Sequence, residues 1–164
     1  MKRIIGLICV FLLLVSCTPQ TQDPAPTSLP STAGEAHDTL VNFLTLLNTK
    51  NYDEAVLLYG GSYEQLIIFN PEIDPMDHVA LWMWACDNQL LQCLEVRSAT
   101  FKELRGDTYV FQVEFSNPDG SLFVLGPCCG ANETDMPPVS QFEYTVTGKP
   151  EGPFFVMDAP PYVP

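Results

Sequence analysis

The chain has 164 residues, with 20 acidic side chains against 7 basic ones and a net charge of −13 at pH 7. That balance argues against a nucleic-acid partner, which needs clustered Lys and Arg, and against a domain that lies flat on anionic lipid. At 46% apolar residues the chain still has the means to bury a core of ordinary single-domain size.

The first element in chain order is an address. Met1-Lys2-Arg3 is followed by an apolar run from Ile4 to Val15. A basic start and a short apolar stretch form the layout of a secretory signal peptide, and the run is shorter than the roughly 20 residues a membrane-spanning helix needs. It ends in Leu14-Val15-Ser16-Cys17. This stretch resembles the lipobox of bacterial lipoproteins: an aliphatic residue, a tolerant position, a small residue, then cysteine. The resemblance implies that residues 1–16 are a signal peptide. It also implies that Cys17 becomes the new N-terminus and carries a diacylglyceryl group and an acyl chain. Two or more chains hold a protein stably at a membrane, at about 0.8 kcal/mol per buried methylene. Loss of Lys2 and Arg3 with the peptide leaves 5 basic residues against 20 acidic, a charge of −15. Membrane attachment is thus expected through the lipid and not through the domain, on the extracytoplasmic side of a bacterial cell envelope. Thr at position 18, where an inner-membrane retention signal has Asp, implies no such retention in a Gram-negative cell.

Residues 17–34, CTPQTQDPAPTSLPSTAG, are rich in Pro, Thr, Ser and Gln, with one charge and one sizeable apolar residue, Leu29. Such a stretch cannot bury enough surface to order itself, and it reads as a flexible tether. Residues 35–164 read as one α+β domain.

Within the domain, Thr32-Ala33-Gly34-Glu35 has capping-box spacing, and Leu40, Phe43, Leu44 and Leu47 share one helical face. A helix over about 35–49 follows. After a turn, Tyr52, Ala55, Val56 and Tyr59 keep helical spacing up to Gly60-Gly61, which reads as a C-cap. SYEQLIIF is a short segment stopped at Asn70-Pro71. Asp74-Pro75 reads as the N-cap and first residue of a third helix. Its VALWMWAC is apolar nearly all round, so it should be covered on most sides. From Leu94 the period changes to two. LEVRSATFKEL is strand-like, and Tyr109, Phe111, Val113 and Phe115 alternate with Val110, Gln112 and Glu114. Asn117-Pro118-Asp119-Gly120 is a turn, and SLFVLG returns as the next strand. SQFEYTVTG and FFVMD complete about five strands.

Helices followed by hairpin-connected strands specify helices packed on one face of a curved antiparallel sheet. The order, and the opening LVNFLTLLNTKNYDEAVLLY, resemble the nuclear-transport-factor-2-like (cystatin-like) superfamily, in particular its small lipoproteins. The resemblance covers about residues 35–158. It implies a cone between sheet and helices that holds a small ligand, runs a reaction, or is filled by side chains. Fold alone does not choose among these.

Six cysteines are present. Cys9 leaves with the signal peptide and Cys17 takes the lipid, so Cys86, Cys93, Cys128 and Cys129 remain. An exported protein meets an oxidising compartment, where an even thiol count points to disulfides. Their spacings lack the paired CxxC of a zinc site and the CxxC of a thioredoxin-like centre, so no metal and no cofactor is expected. A vicinal Cys128–Cys129 bond is disfavoured by disulfide geometry. The expected pairing therefore ties each of Cys86 and Cys93 to one of Cys128 and Cys129. Cys86–Cys93, with Cys128 and Cys129 free or vicinally bonded, is the rival.

Other candidates are weaker. His78 with Glu72, Asp74 and Asp77 suits a solvated helix start as well as an acid–base pair or a Ca²⁺ cluster lacking EF-hand rhythm. Trp82 and Trp84, with Phe111 and Phe115, are core or the lining of an apolar pocket. The reading that follows is a lipid-anchored, non-catalytic envelope protein. Its stapled domain binds a small apolar ligand or an envelope protein partner. A pocket enzyme using Asp, His or Tyr and a structural accessory lipoprotein are the alternatives. Metabolic labelling with palmitate is expected to mark the wild type and to be lost in Cys17→Ser; label retained on the variant removes the anchor.

Overall fold

A computed structural model describes residues 31–88, 90–148 and 152–163 of the chain. The signal peptide, Cys17 and the tether up to residue 30 lie outside the described residues. The order is α1 (Ser31–Asn48), α2 (Tyr52–Ala55) running into a 3₁₀ turn (Val56–Leu58), α3 (Glu64–Phe69), α4 (His78–Asp87), β1 (Glu95–Arg105), β2 (Thr108–Ser116), β3 (Phe142–Gly148) and β4 (Phe154–Val156). The fold is α+β, with an open antiparallel sheet in the order β1-β2-β3-β4.

The first helix begins at Ser31, four residues before the expected start, so Thr32 lies inside it and caps nothing. Its apolar face is the expected one: Leu40, Phe43, Leu44 and Leu47 are buried, extended N-terminally by Ala33 and Ala36. The third long stretch starts later than Asp74-Pro75 implies. Asp77 is the N-cap of α4, its Oδ1 accepting from the Ala80 N–H at 3.0 Å. Asp74 instead closes a turn, accepting from Met76 N through Oδ1 and from Asp77 N through its carbonyl, both at 2.9 Å. Either Asp can cap in isolation, and the tighter turn at 74–77 decides between them.

In the sheet, Phe101 faces Phe111 across β1 and β2, and Phe111 faces Tyr144 across β2 and β3. Along β2, Tyr109, Phe111, Val113 and Phe115 are buried in the core with α1, and Gln112 and Glu114 are half-buried. Val110, expected on the opposite face, is fully buried as well, so the alternation is broken there. Two register shifts in β1, at Val96/Ser98 and Phe101/Glu103, interrupt its ladder with β2 and bend the strand locally.

The sheet has four strands, not five. SLFVLG makes isolated bridges only, Ser116 to Leu122 and Leu125 to Val139. The turn at Asn117–Gly120 forms as expected, with Gly120 N donating to Asn117 O at 2.8 Å. After it, Phe123 donates to Phe115 O at 2.9 Å and the segment then leaves the sheet. Pro127, which has no N–H to give a ladder, comes two residues after the last bridging residue.

Gly60-Gly61 does not cap a helix. Gly60 N donates to Val156 O at 2.9 Å, and Tyr59 bridges Val156 in parallel, so the pair runs beside β4. A Cβ on Gly61 would overlap the Met157 carbonyl oxygen and stand 2.6 Å from the Tyr59 hydroxyl. Only glycine fits that approach.

The expected cross-staples are corrected. Cys86 is bonded to Cys93, seven residues on, with Cα atoms 5.5 Å apart. Cys128 and Cys129 are free thiols. The cause is local. α4 ends at Asp87, and the chain doubles back at once, Leu91 N reaching Ala85 O at 3.0 Å. That reversal sets two cysteines at bonding distance before any long loop has to close. So short a loop places the bond near the low end of disulfide stabilisation, about 2–3 kcal/mol.

Phe111 sits at the centre of the sheet's buried face. Phe111→Ala is expected to cost about 3–5 kcal/mol, read as a lower midpoint in urea with little change in slope.

Candidate functional site

The interior between the helices and the sheet is filled. Trp82, Phe111 and Phe115 are fully buried, as are Phe43 and Tyr144. The Trp82 indole is wedged edge-on between Phe43 (5.6 Å, 78°) and Tyr59 (5.0 Å, 89°), and its Nε1 donates to the Tyr63 hydroxyl at 3.3 Å. Phe115 packs against Tyr144 and Phe142. Trp84, two residues on, points out of the core and is 37% exposed. Of the four residues expected to line an apolar pocket, three are thus packed together as core and the fourth leaves it.

The histidines are dispersed as well. His78 stacks on the Tyr63 ring with centroids 3.7 Å apart, and His37 bonds Asp38 at 3.1 Å. Asp74 and Asp77 are engaged by the backbone hydrogen bonds described above. Among the described residues no group of three or more His, Cys, Asp or Glu side chains is placed to hold a metal ion, and no helix is long and apolar enough to cross a membrane.

Concavity appears instead at the rim, where α3 and the end of α4 meet the segment after β4. A cleft of about 190 Å³ is floored by Ala85, Leu66 and Leu91, walled by Phe69 and Ala159, and edged by Tyr59, Ser62, Gln65 and Asp158. Tight turns build it. The Tyr59 hydroxyl donates to Ser62 O at 3.1 Å, and the buried Asn70 amide donates to Leu66 O at 2.8 Å, ending α3. Phe69 stacks on Tyr162 at 5.2 Å. Beyond Phe69 the surface continues as a shallow depression with Glu64, Gln65 and Ile68, and Ile68 is 65% exposed.

The polar edge is fixed by β3. Asp158 accepts from both the N–H and the hydroxyl of Thr145, each at 2.6 Å. Burial, then the neighbouring Tyr63 and Asp158, push the Tyr59 phenol up to about 12. Burial also raises Tyr144, with Asp158 as a second cause, and the Tyr144 hydroxyl is buried with no hydrogen-bond partner. Both phenols hold their protons at neutral pH, but Tyr144 is buried behind the cleft and the Tyr59 hydroxyl is committed to Ser62 O. The polar edge is therefore carried by Ser62, Gln65 and Asp158. Only the two glycines and the apolar LIIF of α3 signal the cleft in the sequence. Asp158 and Ala159, in the C-terminal stretch after β4, carry no motif.

Comparison of the chain with protein-family models, curated proteins and solved structures gave no significant match.

The raised phenols set an alkaline limit. Below about pH 10, the ordinary tyrosine value, folded and unfolded chains both keep their protons. Between there and about 12 the unfolded chain loses the proton that folded Tyr59 retains, so stability falls as pH rises. Thermal melts are expected to hold level up to about pH 10 and to drop above it, with a smaller drop in Tyr59→Phe. An equal drop in the variant removes Tyr59 as a cause.

Proposed function

We infer that this is a lipid-anchored protein of the bacterial cell envelope, held through Cys17 on the extracytoplasmic side of a membrane. Its domain acts by binding an envelope protein partner at the rim cleft. On this reading the domain is a nuclear-transport-factor-2-like cone whose interior has been given over to packing. Residues 18–30 serve as the spacer that lets the rim reach its partner.

The observation that carries the reading is the division between a solid interior and an open apolar rim. Trp82, Phe111 and Phe115 fill the space where a ligand would sit, while Phe69 and Ile68 stand exposed beside the cleft. The deeper cleft of about 190 Å³ opens past Phe69 into a broad, shallow depression, a shape that suits one inserted side chain with a flanking surface and not a wholly enclosed small molecule. Apolar anchors in small, well-formed pockets are where interface energy concentrates. The occupant assigned is therefore an aliphatic or aromatic side chain of a protein partner. The acidity of the domain leaves attachment to the lipid, since anionic headgroups repel it.

Photo-crosslinking in the producing cell tests this. A photoreactive residue at Phe69 is expected to give a discrete protein adduct, and one at Lys102, on β1, none. Absence of an adduct at both positions, or the same adduct at both, overturns the rim as the binding face. In the same cells Cys17→Ser is expected to move the protein from the membrane fraction to the soluble one.

A further inference from the structure

The binding role leaves Cys128 and Cys129 without a task. Both are free thiols, Cys129 exposed and Cys128 half-buried. Their Sγ atoms stand 2.8 Å apart, the Cys129 thiol donating to Cys128. Adjacent side chains do not meet in this way on an extended chain, where successive Cβ atoms point to opposite sides.

The backbone is what brings them together. Ala131 N–H donates to Cys128 O at 2.9 Å, closing a four-residue turn. Its two central residues, Cys129 and Gly130, have φ of +60° and +85°. Positive φ at both central positions marks a type I′ turn, whose first central place is normally taken by Asn, Asp or Gly. Cysteine has a Cβ to clash and no amide to relieve the left-handed backbone. Strain of this kind gathers at working sites, and its effect here is to swing one sulfur back onto the other.

We propose that Cys128 and Cys129 form a reversible dithiol–disulfide pair, which closes on itself by exchange with a disulfide co-reactant and reopens with thiols. The exposed Cys129 thiolate attacks one sulfur of the co-reactant RSSR, forming a mixed disulfide and releasing RS⁻. The Cys128 thiolate then attacks Cys129 Sγ, displaces the second RS⁻ and forms the Cys128–Cys129 bond. Two electrons pass from the pair to the co-reactant, and the two thiol protons leave with the RS groups as RSH. The order follows from exposure. It agrees with the adjacent Cys129 side chain and the partial burial, which hold the Cys128 proton above its ordinary value. Reversibility follows from the ring. A bond closed through a single peptide unit is constrained and solvent-facing, and such disulfides are the readily reduced ones. The proposal stands apart from the binding role, because exchange needs only this turn.

The test uses the full-length protein in detergent, equilibrated across ratios of reduced to oxidised glutathione, then alkylated, digested and weighed. The peptide holding residues 128 and 129 is expected to pass from two alkyl groups to none. In the oxidised form it should be lighter than the free dithiol by two hydrogens, with no glutathione attached. Cys128→Ser is expected to stop at a glutathione adduct on Cys129. Two alkyl groups at every ratio, stable glutathione adducts on the wild type, a disulfide-linked dimer, or a link from this peptide to Cys86 or Cys93 each overturn the pair. Cys129→Asn, which suits the turn, is expected to melt above the reduced wild type; a melt at or below it removes the strain from the account.

Discussion

The fold turns on one tryptophan. Trp82 comes from α4, yet its ring is held edge-on by Phe43 of α1 and by Tyr59, which follows the 3₁₀ turn and runs beside β4, and its nitrogen is satisfied by Tyr63 ahead of α3. Three segments, α1, α4 and the stretch between the 3₁₀ turn and α3, are positioned by one side chain that has no exposed surface. The edge-to-face contacts direct the packing as well as contributing buried area, since aromatic quadrupoles prefer crossed rings. Without that wedge the short helices α2 and α3, four and six residues long, have little of their own to keep them helical.

Filling the interior in this way leaves the concave features at the surface. The cleft exists because α3 stops at Asn70 and the chain after β4 stands off from it, and because Gly60-Gly61 lets Tyr59 run close beside β4. The dithiol turn is a second surface feature, built on the segment that leaves the sheet after Leu125. Both depend on backbone positions that few residues tolerate.

Much of the fold is legible in the residues. The α1 face of Leu40, Phe43, Leu44 and Leu47 and the β2 set of Tyr109, Phe111, Val113 and Phe115 each obey a single period and are buried, with Val110 on the other face of β2 buried besides. What period cannot decide is competition between equivalent signals. Asp74 and Asp77 are both good caps, and local turn geometry chose the second. SLFVLG has strand composition, but past the turn it pairs only at isolated points, Leu122 with Ser116 and Leu125 with Val139, and no continuous ladder forms. The disulfide shows the same limit: counting thiols gave an even set, while the reversal after α4 set the partners. The site was less visible still. Trp82, Phe111 and Phe115 suit a pocket lining as well as a core, and only three-dimensional packing separates the two. Asp158 and Ala159 acquire a role solely from where β4 delivers them.

The bulges in β1 have a consequence for many copies side by side. A sheet with two open margins invites neighbouring molecules to zip onto it. One margin, β4, is three residues long and already partnered by Tyr59. The other is the eleven-residue β1, whose two register breaks interrupt a straight template. Lys102, Glu103 and Arg105 stand solvated along it, Arg105 bridging Glu103 and Glu143. Such a margin resists strand addition, so this domain can reach high local concentration without its sheets fusing into larger ones.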